Sequence, residues 1–142
     1  MLGGREHSEA ELRTKLVRRY PGLTQSHLDE LIEELQALNL LSDVRFTETL
    51  IRSRIAKGYG PYYIARELAA KGVSKSLAQA HLERLDTDWF ELAQSLIERR
   101  HPDASLVEAD WSKAIRFLQR RGFAGQVISA AVGDRPLRAS VD

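Results

Sequence analysis

Four histidines are the first candidates for chemistry in this chain, and their spacing does not make a metal site. His7, His27, His81 and His101 stand far apart, whereas two ligands on one helix face lie three or four residues from each other. Glu30, Glu33 and Glu34 bring carboxylates close together. They are interleaved with the apolar stripe Leu28, Leu31, Ile32, Leu35 and Leu38, so they read as the solvated face of a helix and not as an acid–base pair. Gly58-Tyr59-Gly60 is glycine-rich, but it opens a helix without a strand before it, which removes the context of a phosphate loop. No Gly-x-Ser-x-Gly elbow and no Gly-x4-Gly-Lys-Ser/Thr run occurs. Catalysis needs a positioned constellation in a pocket. The expectation is a protein that is no enzyme and needs no metal or cofactor.

Binding chemistry is better represented. Arg13, Lys15, Arg18 and Arg19 crowd one stretch, Arg52, Arg54 and Lys57 a second, and Arg116, Arg120 and Arg121 a third. Tyr59, Tyr62 and Tyr63 flank Gly60-Pro61, and one face of the helix that starts there is taken by Ile64 and Leu68. At least one of these tyrosines must therefore be exposed beside Lys57, Arg66 and Arg54. An exposed aromatic among basic groups suits a protein partner or the stacking of nucleic-acid bases. A central contact surface of Arg52, Arg54, Lys57, Tyr59, Tyr63, Arg66 and Lys71 follows, with Arg116, Arg120 and Arg121 as a second patch. Trp89 and Trp111 sit at helical spacing and read as core. The formal net charge is only +1, so composition alone does not point to nucleic acid.

The elements that must position these groups are helices. Ser8-Glu9-Ala10-Glu11 has the form of a capping box, and Leu12, Leu16 and Tyr20 continue one face until Pro21-Gly22. A second helix opens near Thr24 or Ser26, and a third at Ser42 or Asp43 with Phe46, Leu50 and Ile51 inward. Gly58 serves as that helix's C-terminal glycine, because glycine enters the left-handed conformation without a Cβ clash. Pro61 then takes a first helical position, where its missing N–H costs nothing. Gly72 closes that helix, and Ser74 or Ser76 starts the next. Asp88 caps another that ends at His101-Pro102, and two more follow around Ala114–Leu118 and Val127–Val132, with a frayed tail from Gly133. No alternating β-branched run competes.

The pattern repeats. Leu12 and Leu16 shift by 52 residues onto Ile64 and Leu68, and Lys71-Gly72-Val73 shifts by 50 onto Arg121-Gly122-Phe123. Phe46, Leu50 and Ile51 shift by 46 onto Leu92, Leu96 and Ile97. The fold expected is all-α, an elongated tandem array of three-helix repeats. Residues 1–58 form the first copy, 59–105 the second, and 106–142 a shortened third. With 43% hydrophobic and 29% charged residues the chain is of ordinary globular composition. The absence of cysteine excludes disulfides and fits a reducing compartment. No apolar window approaches the ~20 residues of a membrane span, so a cytoplasmic location is expected.

The stretch Lys57-Gly58-Tyr59-Gly60-Pro61, followed by Ile64, Glu67-Leu68 and Lys71-Gly72-Val73-Ser74, resembles the signature of the RecX family. His7-Ser8, Asp43, Arg45 and Phe46, Asp88-Trp89, and Arg120-Arg121-Gly122-Phe123 agree with it. The resemblance spans about residues 5 to 132. It implies tandem three-helix repeats and one partner, the RecA recombinase. Proteins of this family bind RecA and its filament on single-stranded DNA, and they inhibit its ATPase, strand-exchange and coprotease activities. A monomer is implied, with weak direct DNA contact as an addition. Tyr63, where the family often has a basic residue, weighs against that addition. A stand-alone DNA-binding helical module is the alternative.

Overall fold

The structure, a computed structural model, describes residues 4–102 and 108–136. The described residues form eight helices, α1 (Glu9–Arg19), α2 (Gln25–Ala37), α3 (Asp43–Ala56), α4 (Pro61–Ala70), α5 (Lys75–Glu83), α6 (Trp89–Arg100), α7 (Glu108–Arg120) and α8 (Gly125–Val132). No strand occurs among the described residues. The fold is all-α, as the periodicity predicts. The last six residues of the expected frayed tail lie outside the described residues.

Side-chain caps set the helix starts. Ser8 accepts from the Glu11 N–H, Thr24 from His27, Ser74 from Leu77 and Asp88 from Glu91. Ser42 accepts from the Arg45 N–H and so caps α3. Each satisfies a backbone donor that the first helical turn leaves unpaired. Two inward assignments differ from the sequence reading. Tyr20 is the C-cap of α1 and Leu38 the C-cap of α2, and both are exposed because the apolar stripe ends one turn earlier, at Leu16 and Leu35.

The chain divides into two compact units, residues 1–53 with 65–84, and residues 54–64 with 85–142. The first has a core of Leu12, Leu16, Leu28, Ile32 and Leu41, with Leu23, Leu31 and Leu35 packed on it. Burying each such side chain contributes about 1.5–3 kcal/mol. Its polar fastening lies at the start of α1. Buried Ser8 donates from Oγ to the Lys71 carbonyl at 2.6 Å while still capping Glu11. The Glu9 N–H donates to Asp43 Oδ1 at 2.8 Å. Gly72 (φ 80°) closes α4 against Ala10, whose Cβ occupies the place a side chain at 72 would need. Glu11 makes only half of the expected capping box. Its carboxylate turns to Arg5 (3.0 and 2.8 Å) and to Lys71 Nζ (3.1 Å).

The second unit has a core of Ala93, Leu96, Ile97, Ala114, Phe117, Leu118, Phe123, Ile128 and Val132, with Trp89 and Trp111 packed on it. Helix α8 lies against α6 and α7. A joint like that of the first unit recurs here. Gly60 N–H donates to the Arg121 carbonyl at 2.6 Å and Tyr62 N–H to the Gly122 carbonyl at 2.9 Å. A Cβ on Gly60 would stand 2.6 Å from the Gly122 oxygen, and one on Gly122 (φ 89°) would meet Tyr63, with Tyr63 Cα at 2.8 Å. Gly22, fifty residues before Gly72, has nothing within 4 Å of such a Cβ.

Two outcomes follow. Gly122→Ala meets both a left-handed φ and the Tyr63 backbone, and should cost about 3 kcal/mol. Gly125→Ala, with open space around it in the first turn of α8, should be neutral or gain up to about 1 kcal/mol. Urea denaturation of the two variants checks the contrast. Separately, burial would raise the Glu11 carboxyl, but the hydrogen bonds and charges of Arg5 and Lys71 outweigh it and lower it to about 2. A carboxyl whose folded value lies below its unfolded one stabilises fully above the unfolded value and ceases to as pH falls through the folded one. Between roughly pH 5 and pH 2 the wild type should lose about 1–2 kcal/mol that Glu11→Gln does not, a size discounted because solvent screens the partly exposed cations. Urea midpoints across that range measure it.

Candidate partner-binding site

The turn from α3 to α4 carries the aromatic and basic groups singled out from sequence. Gly58 (φ 85°) ends α3, and the Tyr59 N–H returns to the Arg54 carbonyl at 2.9 Å. Four residues separate Tyr59 from Tyr63, one helical turn, and their rings stack with centroids 4.1 Å apart and 22° between planes. Arg121 lies over the Tyr59 ring at 4.5 Å. Since Tyr63 covers one face of that ring, the guanidinium takes the other. Its Nη1 also donates to the Lys57 carbonyl at 2.8 Å, which fixes it in that position.

The stack continues beyond these three. Arg121 is 5.2 Å from the Phe117 ring, and Arg100 sits over Phe117 at 4.2 Å. Tyr63, Tyr59, Arg121, Phe117 and Arg100 thus form a ladder of rings and guanidiniums within the second unit. Each such cation–π contact contributes about 0.5–1 kcal/mol at a partly exposed position, and it leaves the guanidinium able to donate in its own plane, as Arg121 does to Lys57. Tyr62 has no part in it and is 60% exposed.

The candidate residues therefore regroup. Lys57, Tyr59, Tyr63 and Arg121 come together, so Arg121 belongs with the tyrosines and not only with its α7 neighbours. Arg54 joins them through its backbone, and its side chain has interactions of its own. Arg116 and Arg120 are exposed on α7 in the same unit. Arg52, Arg66 and Lys71 fall in the first unit, where Lys71 is held by Glu11. Sequence reasoning missed Arg100 and Phe117. The one available signal was the four-residue spacing of Phe117 and Arg121, which places them on one helix face.

Of the histidines, one has a defined polar setting. His7 is buried, with Nδ1 3.2 Å from the Arg5 carbonyl and Nε2 3.0 Å from Lys15 Nζ. The ammonium can only donate, so Nε2 accepts and Nδ1 carries the proton. Burial, with the charges of Arg5 and Lys15, lowers its pKa and keeps the ring neutral. Among the described residues no group of His, Asp and Glu is arranged to hold a metal ion, and no helix is long and apolar enough to cross a membrane.

The geometry agrees with comparisons to known proteins. Residues 42–82, helices α3 to α5, match the family model for the second three-helix domain of RecX, and residues 86–132, helices α6 to α8, match that for the third. The regulatory protein RecX of Halorhodospira halophila is 40% identical over 136 residues, 92% of this chain and 81% of the relative. That of Actinobacillus pleuropneumoniae serotype 5b is 37% identical over 123 residues, 87% of this chain and 80% of the relative. Among solved structures, the crystal structure of RecX from Lactobacillus salivarius superposes with a TM-score of 0.77 at 22% identity, over 92% of this chain and 86% of that one. Tandem three-helix domains, the glycine-bounded turn and identity over nearly the whole chain converge: this protein belongs to the RecX family of regulatory proteins.

Proposed function

We propose that this chain binds RecA, and the filament RecA forms on single-stranded DNA, and restrains its ATP hydrolysis, strand exchange and coprotease action. The observation that carries the reading is 40% identity to a regulatory protein RecX along 92% of the chain. The protein would act as a cytoplasmic monomer and by binding alone, without a cofactor. Its contact surface would draw on Arg52, Arg54, Lys57, Tyr59, Tyr63, Arg66 and Lys71, with Arg116, Arg120 and the ladder's own Arg121 as a second patch.

The ladder favours a protein partner over base stacking. Both faces of the Tyr59 ring are occupied, by Tyr63 and by Arg121, so that ring cannot take a base between its neighbours. The outward guanidinium edges remain suited to carboxylates or phosphates. Direct DNA contact would then run through backbone charge, weakly at physiological salt and with a shallow salt slope.

Added to RecA on single-stranded DNA at stoichiometric or lower ratio, the protein should slow steady-state ATP turnover; an unchanged rate would count against the reading. Alanine at Arg54, Lys57 and Arg66 together should weaken that inhibition about tenfold with helix content intact by circular dichroism. Arg121→Ala removes the cation between Tyr59 and Phe117 and should weaken inhibition several-fold while lowering stability by about 1 kcal/mol. Full inhibition by both variants would move the contact surface elsewhere.

A further inference from the structure

The turn between α2 and α3 displays apolar side chains that the fold does not use. Leu38 is 61% exposed, Leu40 51% and Val44 45%, and all three fall within seven residues of the first unit. Their exposure is not looseness. Asn39 is the one non-glycine residue with positive φ (58°) among those described. It ends α2 in a Schellman motif, with Leu40 N–H donating to the Leu35 carbonyl at 2.9 Å and Asn39 N–H to the Gln36 carbonyl at 3.0 Å. Arg45 Nη1 braces the turn by donating to Asn39 Oδ1 at 3.1 Å, and Arg45 is itself held by an ion pair with Glu6. A left-handed non-glycine residue is an unusual conformation, and here it holds leucines out toward water on both sides of itself.

The charges around the turn say what would cover it. Glu30, Glu34 and Leu38 follow one line along α2 at four-residue spacing, and Val44 and Glu48 follow one along α3. All five are exposed. The apolar knob is thus bordered by carboxylates one helical turn away on both helices, an arrangement that repels a phosphate backbone and suits an apolar recess rimmed by Lys and Arg. We infer that the α2–α3 turn is a protein-docking knob whose partner presents such a recess, and, resting on the filament-binding reading above, that this partner is the protein of the RecA filament and not its DNA. The basic ladder and the acidic knob would then meet different parts of one assembly.

The test is co-sedimentation with RecA assembled on poly(dT), alongside fluorescence anisotropy on poly(dT) alone and sedimentation velocity of the free protein. Leu38→Ser with Leu40→Ser should bind the filament about tenfold more weakly than wild type, with naked-DNA binding and melting temperature unchanged. Glu34→Lys with Glu48→Lys leaves every buried residue in place; it should weaken filament binding and strengthen binding to poly(dT). Wild-type filament affinity in both variants would overturn the knob while leaving the filament reading standing. Failure of the wild type itself to sediment with the filament would overturn both. A wild-type dimer that the serine pair dissociates would assign the turn to a second copy of the chain and overturn the partner named here.

Discussion

A helix begins with N–H groups that have no partner and ends with carbonyls that have none, and the two ends carry opposite partial charge. Each unit of this protein resolves both shortages at once by setting the start of one helix on the glycine-ended close of another. In the first unit the start of α1 meets the close of α4, through Ser8 and the Lys71 carbonyl over Gly72. In the second the start of α4 meets the close of α7, through Gly60 and Tyr62 on the carbonyls of Arg121 and Gly122. The approach is so close that only Gly fits at 72 and 122, where any side chain would meet the incoming helix. The turn from α3 to α4 inherits its geometry from the second of these joints. Tyr59 and Tyr63 stack where they do because Gly60 is bonded to Arg121, and Arg121 reaches Tyr59 because its own carbonyl is part of the bond.

This arrangement explains why the signature residues keep company. Gly58, Gly60 and Pro61 shape the backbone of the turn, whereas Lys57, Tyr59 and Tyr63 furnish its surface. The glycine run that looks superficially like a phosphate cradle serves as a seat for another helix's carbonyls. Hydrogen-bonded joints add stiffness within each unit, where a small helical core buries little surface by itself.

Helix number, caps and most inward faces were legible in the sequence because each depends on local rules. Ser8, Asp88, Pro61 and the three C-terminal glycines act on their immediate neighbours. The repeat was legible as a period. A register shift says nothing about where a copy opens, however, and the family segments that open on α3 and α6 cut the same period at another phase than a division after residues 58 and 105. The joint was half visible. Lys71-Gly72 and Arg121-Gly122 match by a shift of 50, and Leu12 and Leu16 fall on Ile64 and Leu68 by one of 52, but pairing a start with a close across some sixty residues is a long-range fact. The same limit hid Arg100 and Phe117 from the candidate site, and it divided Arg121 from the tyrosines. Leu38 misled for the opposite reason. Its spacing is that of a core residue, and only the early end of α2 at Asn39 turns it outward.

The joint itself is open to direct measurement by native-state amide hydrogen exchange at Gly60 and Tyr62. First-turn amides of a helix have no partner within it and ordinarily exchange fast. With Arg121 and Gly122 accepting from them, both should exchange only through opening of the whole second unit, at the free energy found for core amides such as Leu118. Fast exchange at Gly60 and Tyr62 while Leu118 stays protected would contradict the claim that this joint holds the unit and its α3–α4 turn together.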